Sequence, residues 1–117
     1  KNNLIPKKIQ KSEEQKIYAN EADVLNKALF GLTAKTWKAK NSKKQGNIRD
    51  HANIIQLVCL SNLESINAVL IKDKITQFQR LIKLNEIAIY QMGILISNKK
   101  PKKVLHQKDV KRVINQR

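Results

Sequence analysis

Apolar residues recur through the middle of the chain at helical spacing. Ile55, Cys59, Leu63, Ile66 and Leu70 fall at steps of four, four, three and four, with Leu60 and Val69 widening the stripe. A helix turns about every 3.6 residues, so this spacing gathers them on one face and predicts a long helix turned toward a core. After a turn at residues 72–75, Leu81, Leu84, Ala88, Met92 and Leu95 repeat the stripe, and Thr76 with Gln79 offers a capping box at its start. Two long helices with so short a connection pack antiparallel. Upstream the periods are shorter. Between Asn20 and Gly31, Glu21 and Asp23 suit a helix N-terminus, Val24, Leu25, Ala28 and Leu29 share a face, and Gly31 suits the left-handed stop. Thr33 can cap a second short helix from Ala34 to about Asn41, so the pair meets across residues 31–33 in a helix-turn-helix-like layout. Polar residues and Gly46 break the pattern over 42–48, and Asp50 or Asn53 supplies the cap of the first long helix.

The predicted fold class is therefore all-α: a short helical pair, about 20–41, packed on a long antiparallel helical hairpin, about 51–96, with flexible basic ends. Residues 1–16 read as a polar lead-in in which Ser12-Glu-Glu-Gln15 offers a capping-box pattern, residues 17–97 as the helical domain, and residues 98–117 as a basic tail in which Pro101 ends helical continuity.

At 117 residues, 41% hydrophobic and 28% charged, the chain has the length and composition of one folded domain. A single cysteine, Cys59, allows no internal disulfide, and with His51 and His106 it makes a poor zinc-ligand set, so no metal or other cofactor is expected. No apolar run is read as long enough to span a bilayer, and residues 1–16 lack the apolar core of a secretion signal, so a reducing, cytoplasmic setting is expected. The first residue is Lys1 rather than Met, which reads as a processed chain or a fragment.

Charge changes the picture most. Twenty-four Lys and Arg against nine Asp and Glu give a net charge of +15. The excess is uneven: residues 1–16 carry five bases and two acids, residues 17–97 eleven and six, residues 98–117 eight and one. Such a field concentrates polyanions, which makes nucleic acid the leading partner class, DNA or RNA, and an anionic membrane surface the second; charge alone does not choose between them. No small-molecule substrate and no membrane partner are expected, and a homo-oligomer is left open.

The strongest candidate site is Lys35, Lys38, Lys40, Lys43, Lys44 and Arg49, six bases with no acid among them until Asp50, on the second short helix and its loop. They can neutralise phosphates, and the bland alternative is a solvated basic face. Sequence-specific recognition would further require Thr36, Asn41 or Arg49 to reach base edges. Lys99, Lys100, Lys102 and Lys103, with the other tail bases, would add nonspecific grip. Trp37 among these lysines is a stacking platform or, the commoner use of a lone Trp at helical spacing, a core anchor. Asp50 with His51 resembles an acid–base pair, yet no nucleophile accompanies them, and a helix cap with Arg49 paired to an acid is the simpler reading. Cys59 on the apolar stripe reads as a buried, inert thiol. No catalytic residue is assigned and no enzymatic activity is expected.

Several blocks are specific enough to suggest kinship. These are Asn-Leu-Ile-Pro at 3–6, Tyr-Ala-Asn-Glu-Ala-Asp-Val-Leu-Asn-Lys-Ala-Leu-Phe-Gly at 18–31, Leu-Thr-Ala-Lys-Thr-Trp at 32–37 and Gly-Asn-Ile-Arg-Asp-His-Ala at 46–52. Leu-Ser-Asn-Leu-Glu-Ser-Ile-Asn-Ala at 60–68 and Arg-Leu-Ile-Lys-Leu-Asn-Glu-Ile-Ala at 80–88 complete them. Together, over about residues 2–95, the chain resembles the C-terminal region of bacterial and phage-type KilA-N domain proteins. The resemblance implies a DNA-associated protein of phage or mobile-element character. The KilA-N domain itself, to which that family's DNA binding is attributed, lies upstream in such proteins and is absent from this sequence. Position 51 is His where similar proteins tend to carry an aromatic residue. The expected role is a DNA-associated accessory module gripping phosphates; the alternative is an oligomerisation or partner-docking module without direct DNA contact, suggested by Leu57, Ile87 and Ile94 outside the main stripes.

Overall fold

The computed structural model describes residues 4–97. Four helices carry the described residues, α1 (Glu21–Phe30), α2 (Ala34–Lys40), α3 (Ile54–Lys72) and α4 (Gln77–Ser97), with 3-10 turns at Lys11–Glu13 and Ile48–His51. No strand occurs among them, so the all-α class is as predicted. The expected tail, including Lys99, Lys100, Lys102 and Lys103, lies outside the described residues.

Each helix begins where a side chain can take an otherwise unpaired backbone N–H. The Asn20 side chain accepts from the Asp23 N–H at 2.9 Å, and Gly31 closes α1 at φ +79°, where no Cβ resists the left-handed conformation. Thr33 accepts from the Thr36 N–H at 3.2 Å to start α2. Of the two caps offered to α3, Asn53 serves: it accepts from the Gln56 N–H, and the Gln56 side chain returns to the Asn53 N–H, a reciprocal capping box. Asp50 instead closes the 3-10 turn together with Asn47. At the far end of α3 the Ile75 N–H reaches back to the Leu70 carbonyl at 3.1 Å while Lys74 adopts φ +62°. This is a Schellman stop with a lysine where glycine is normally favoured. Lys74→Gly is therefore expected to stabilise the fold by about 0.5–1 kcal/mol, read as a higher denaturant midpoint at unchanged m-value.

Val24, Leu25, Ala28 and Leu29 of α1 meet Cys59, Leu60 and Leu63 of α3 and Leu81, Leu84, Ala88 and Met92 of α4 in one core. The first helix packs on both long ones, whereas α2 rests on the 3-10 turn at Ile48–His51, so the short helices do not dock on the hairpin as a pair. Bonds between α3 and α4 run in opposite chain directions, Arg80 to Asn67 near the turn and Asn62 to Gln91 further out, which sets them antiparallel. The buried Arg80 also donates to Glu21 at 2.7 Å and to the Ile75 carbonyl at 2.7 Å, tying α1, α4 and the turn together. These three acceptors, one of them a carboxylate, make the buried charge tolerable.

Four expectations are corrected. The lead-in is not a separate segment: Ile9 is buried in the core, because Asn85 accepts from its N–H at 2.9 Å and donates to the carbonyls of Lys7 and Ala28. Gln77 likewise pairs with both the N–H and the carbonyl of Tyr18, so two side-chain amides imitate peptide groups and hold the extended chain down. Ser12 starts no α-helix; only a three-residue 3-10 turn without a side-chain cap forms there. Finally, α3 is by length and composition apolar enough to cross a membrane, contrary to the expectation that no such run exists. A core helix satisfies the same test, and α3 lays Cys59, Leu60 and Leu63 into the core. Val69, assigned to that stripe, is 56% exposed instead.

Candidate nucleic-acid interface

The 3-10 turn and the loop before it are closed against α2 by polar contacts that run mostly to backbone carbonyls. Asn47 accepts from the N–H groups of Arg49 and Asp50, and the Asp50 carboxylate accepts from the Asn47 N–H at 2.8 Å. Gly46 sits at φ +84°, and a Cβ there would run into the Asp50 side chain, so only glycine fits the approach. The Lys38 ammonium reaches from α2 to the carbonyls of Lys44 and Gly46, and His51 Nε2 lies 2.7 Å from the carbonyl of Gln45. The loop that carries Lys43 and Lys44 is thereby folded back on α2.

Trp37 points inward from α2 and is buried, with the His51 ring over it at a centroid distance of 5.1 Å. Phe30, Leu32, Ile48 and Ala52 line the small recess around them. Trp37 is therefore buried as the anchor reading expects, but in this recess beside the 3-10 turn and outside the main core, so it does not clamp the short helices on the hairpin. A ring at position 51 covers this indole, which gives a packing reason for an aromatic or His there. Asp50 and His51 each face a different backbone partner and form no acid–base dyad.

The six predicted bases divide into two groups. Lys35, Lys40, Lys43 and Lys44 are exposed, and their ammonium groups have no ion pair or hydrogen bond among the described residues. Lys38 is engaged with loop carbonyls, and Arg49 is not available as expected, because its Nη2 pairs with Glu64 Oε2 at 2.8 Å. Both members of that pair are close to half exposed, so water screens it and it is worth at most about 1 kcal/mol. The simpler sequence reading, Arg49 paired to an acid, is the one found, but the acid is 15 residues away on α3 and no local pattern marks it. Lys38 as a loop fastener was equally invisible, since carbonyl acceptors leave no trace in side-chain sequence. Glu64→Gln should release Arg49. In a binding titration with duplex DNA it is expected to raise affinity and to steepen the log–log salt slope by about 0.9, one extra phosphate contact; an unchanged slope would show that Arg49 does not reach the polyanion.

Cys59 lies wholly inside the core, where burial pushes its thiol from 9.0 up to about 11. It stays protonated and unreactive at neutral pH. Because the folded value is the higher one, its contribution to stability is complete below pH 9.0 and is lost as the pH rises through about 11.

No family model, curated protein or solved structure matches the chain. The KilA-N resemblance thus stands on the sequence blocks alone, and function has to be argued from the surface just described. Of the exposed bases, α2 carries Lys35 and Lys40 without partners, the loop carries Lys43 and Lys44 without partners, and the 3-10 turn carries Arg49 paired to Glu64.

Proposed function

We propose that this chain is a DNA-associated accessory module, of the kind its resemblance to KilA-N domain proteins implies, that grips nucleic acid through phosphate contacts. Lys35, Lys40, Lys43 and Lys44 form the primary contact, and the tail lysines Lys99, Lys100, Lys102 and Lys103 add charge to it. The observation that carries the reading is the set of four exposed lysines without acidic partners, Lys35 and Lys40 on α2 and Lys43 and Lys44 on the loop fastened to it. A fastened loop loses less entropy on binding than a loose one, so each phosphate contact retains more of its attraction. Anisotropy titration of the whole chain with labelled duplex DNA tests it. Binding that weakens steeply between about 50 and 200 mM salt is the expected result, and no binding at the lower concentration removes the proposal.

One observation favours a second reading, a self-association or docking module. Ile54, Val58, Val69 and Ile71 of α3 and Tyr90 and Ile94 of α4 are all exposed, which puts six large apolar side chains on the outside of the hairpin. Ile54 and Val58 are one turn apart on α3 and Tyr90 and Ile94 one turn apart on α4, and exposed apolar side chains that adjoin mark interaction sites where scattered ones do not. Sedimentation across micromolar concentrations separates the cases: a strict monomer argues against self-association.

A further inference from the structure

Resting on the DNA-binding reading above, we infer that this surface takes duplex DNA by its phosphate backbone without reading base sequence. The three side chains on which base reading was expected to depend are all turned to internal partners. Thr36 Oγ1 accepts from Thr33 Oγ1 at 3.0 Å, Asn41 Nδ2 donates to the Trp37 carbonyl at 2.8 Å, and Arg49 pairs with Glu64. Asn41 is moreover the half-buried cap at the end of α2, so turning it outward would undo the helix stop.

What remains outward is four lysines with Ser42 and Gln45, the last a lone amide on a loop rather than on a helix or strand laid in the groove. A lysine ammonium is a point charge on a flexible stem that satisfies any phosphate oxygen it meets, whereas base discrimination needs the fixed fork of Arg or the paired donor and acceptor of Asn or Gln. Helix α2 is only seven residues long, and its exposed positions are Lys35, Thr36, Lys38, Ala39 and Lys40, a set with charge but little base-reading chemistry.

The same unit also offers no platform for an unpaired base. Stacking on an exposed ring strengthens single-strand binding by roughly five- to a hundredfold per base, but Trp37 is buried and its neighbouring ring is His51, itself drawn to the Gln45 carbonyl. The exposed Tyr90 belongs to α4 rather than to this unit. Each phosphate that a lysine neutralises, by contrast, counts for more on a duplex, about 0.9 in the log–log salt slope against about 0.7 on a single strand.

The test is anisotropy of the whole chain against AT-rich, GC-rich and mixed duplexes of about 20 base pairs and the matching single strands, at low and near-physiological salt. Affinities for the three duplexes are expected to agree within about threefold and to exceed those for the single strands, as backbone recognition requires. A preference of about tenfold for one duplex, the scale that reading even one base pair confers, would overturn the inference while leaving DNA binding intact. Tighter binding of a single strand would overturn it as well. Failure to bind any of them at low salt defeats the proposed function and this inference together, and so is distinguishable from both other outcomes.

Discussion

Replacing Lys35, Lys40, Lys43 and Lys44 together by Gln is expected to cost up to about three orders of magnitude in affinity for duplex DNA at ~0.1 M salt. The reasoning is electrostatic. Each phosphate neutralised by a lysine releases condensed counterions and contributes about 0.9 to the steepness of the salt dependence, so four lost contacts flatten the log–log slope by about 3.6. All four side chains are exposed and have no partners among the described residues, so the thermal transition should hardly move; surface changes of this kind lie within about 0.5 kcal/mol. That separation matters, because a variant that simply unfolded would lose affinity and stability together. A loss of less than about threefold, with the slope unchanged, would place the binding elsewhere in the chain and end the case for this surface.

Lys38→Met isolates the fastening role within the same experiment. Its ammonium is bonded to loop carbonyls, so its removal loosens the presentation of Lys43 and Lys44 without deleting a phosphate contact. Affinity should fall while the slope stays near that of the unaltered chain. A slope flatter by about 0.9 would instead mark Lys38 as a direct contact.

Asn85→Ala should be the most damaging polar substitution in the fold, lowering stability by roughly 3 kcal/mol. Asn85 is fully buried on α4, and its amide serves three backbone groups: the N–H of Ile9 and the carbonyls of Lys7 and Ala28. Truncation removes the side chain but leaves those groups in place. A buried N–H or C=O without a partner costs about 1–3 kcal/mol, and at least two of the three are shielded from water by the core. The consequence should be local as well as global: the lead-in loses its anchor, Ile9 leaves the core, and the Ile9 amide exchanges with solvent far faster than the α4 amides do. Equal protection at Ile9 in the variant and the unaltered chain would show that Gln77 and the apolar contact of Ile9 hold the segment by themselves.

Much of the helical architecture was legible because it follows from spacing alone. Four buried positions on α4 and three on α3 were among those the stripes named, and Asn20, Gly31 and Thr33 stop and start helices for reasons written into their own side chains. The choice between Asp50 and Asn53 was not settled by sequence, since both have capping chemistry; it went to Asn53 because Gln56 completes the reciprocal box while Asp50 is drawn to Asn47. Val69 shows the limit of a stripe drawn by spacing. Its place at the margin of the apolar arc left it outside the packed seam.

For the candidate interface the division is sharper. The list of basic residues is a property of the sequence, but which of them face solvent unengaged is a property of long-range contacts: Glu64 on α3 removes Arg49, and two loop carbonyls remove Lys38. By itself the amino-acid order determined the helical periods, the caps nearest to them and the overall positive charge, because each depends on neighbours within a turn or two. Tertiary structure alone decided that the lead-in belongs to the core, that Trp37 is covered, and which lysines remain outward. Those outcomes depend on partners tens of residues away, and local chemistry carries no information about which distant group will arrive.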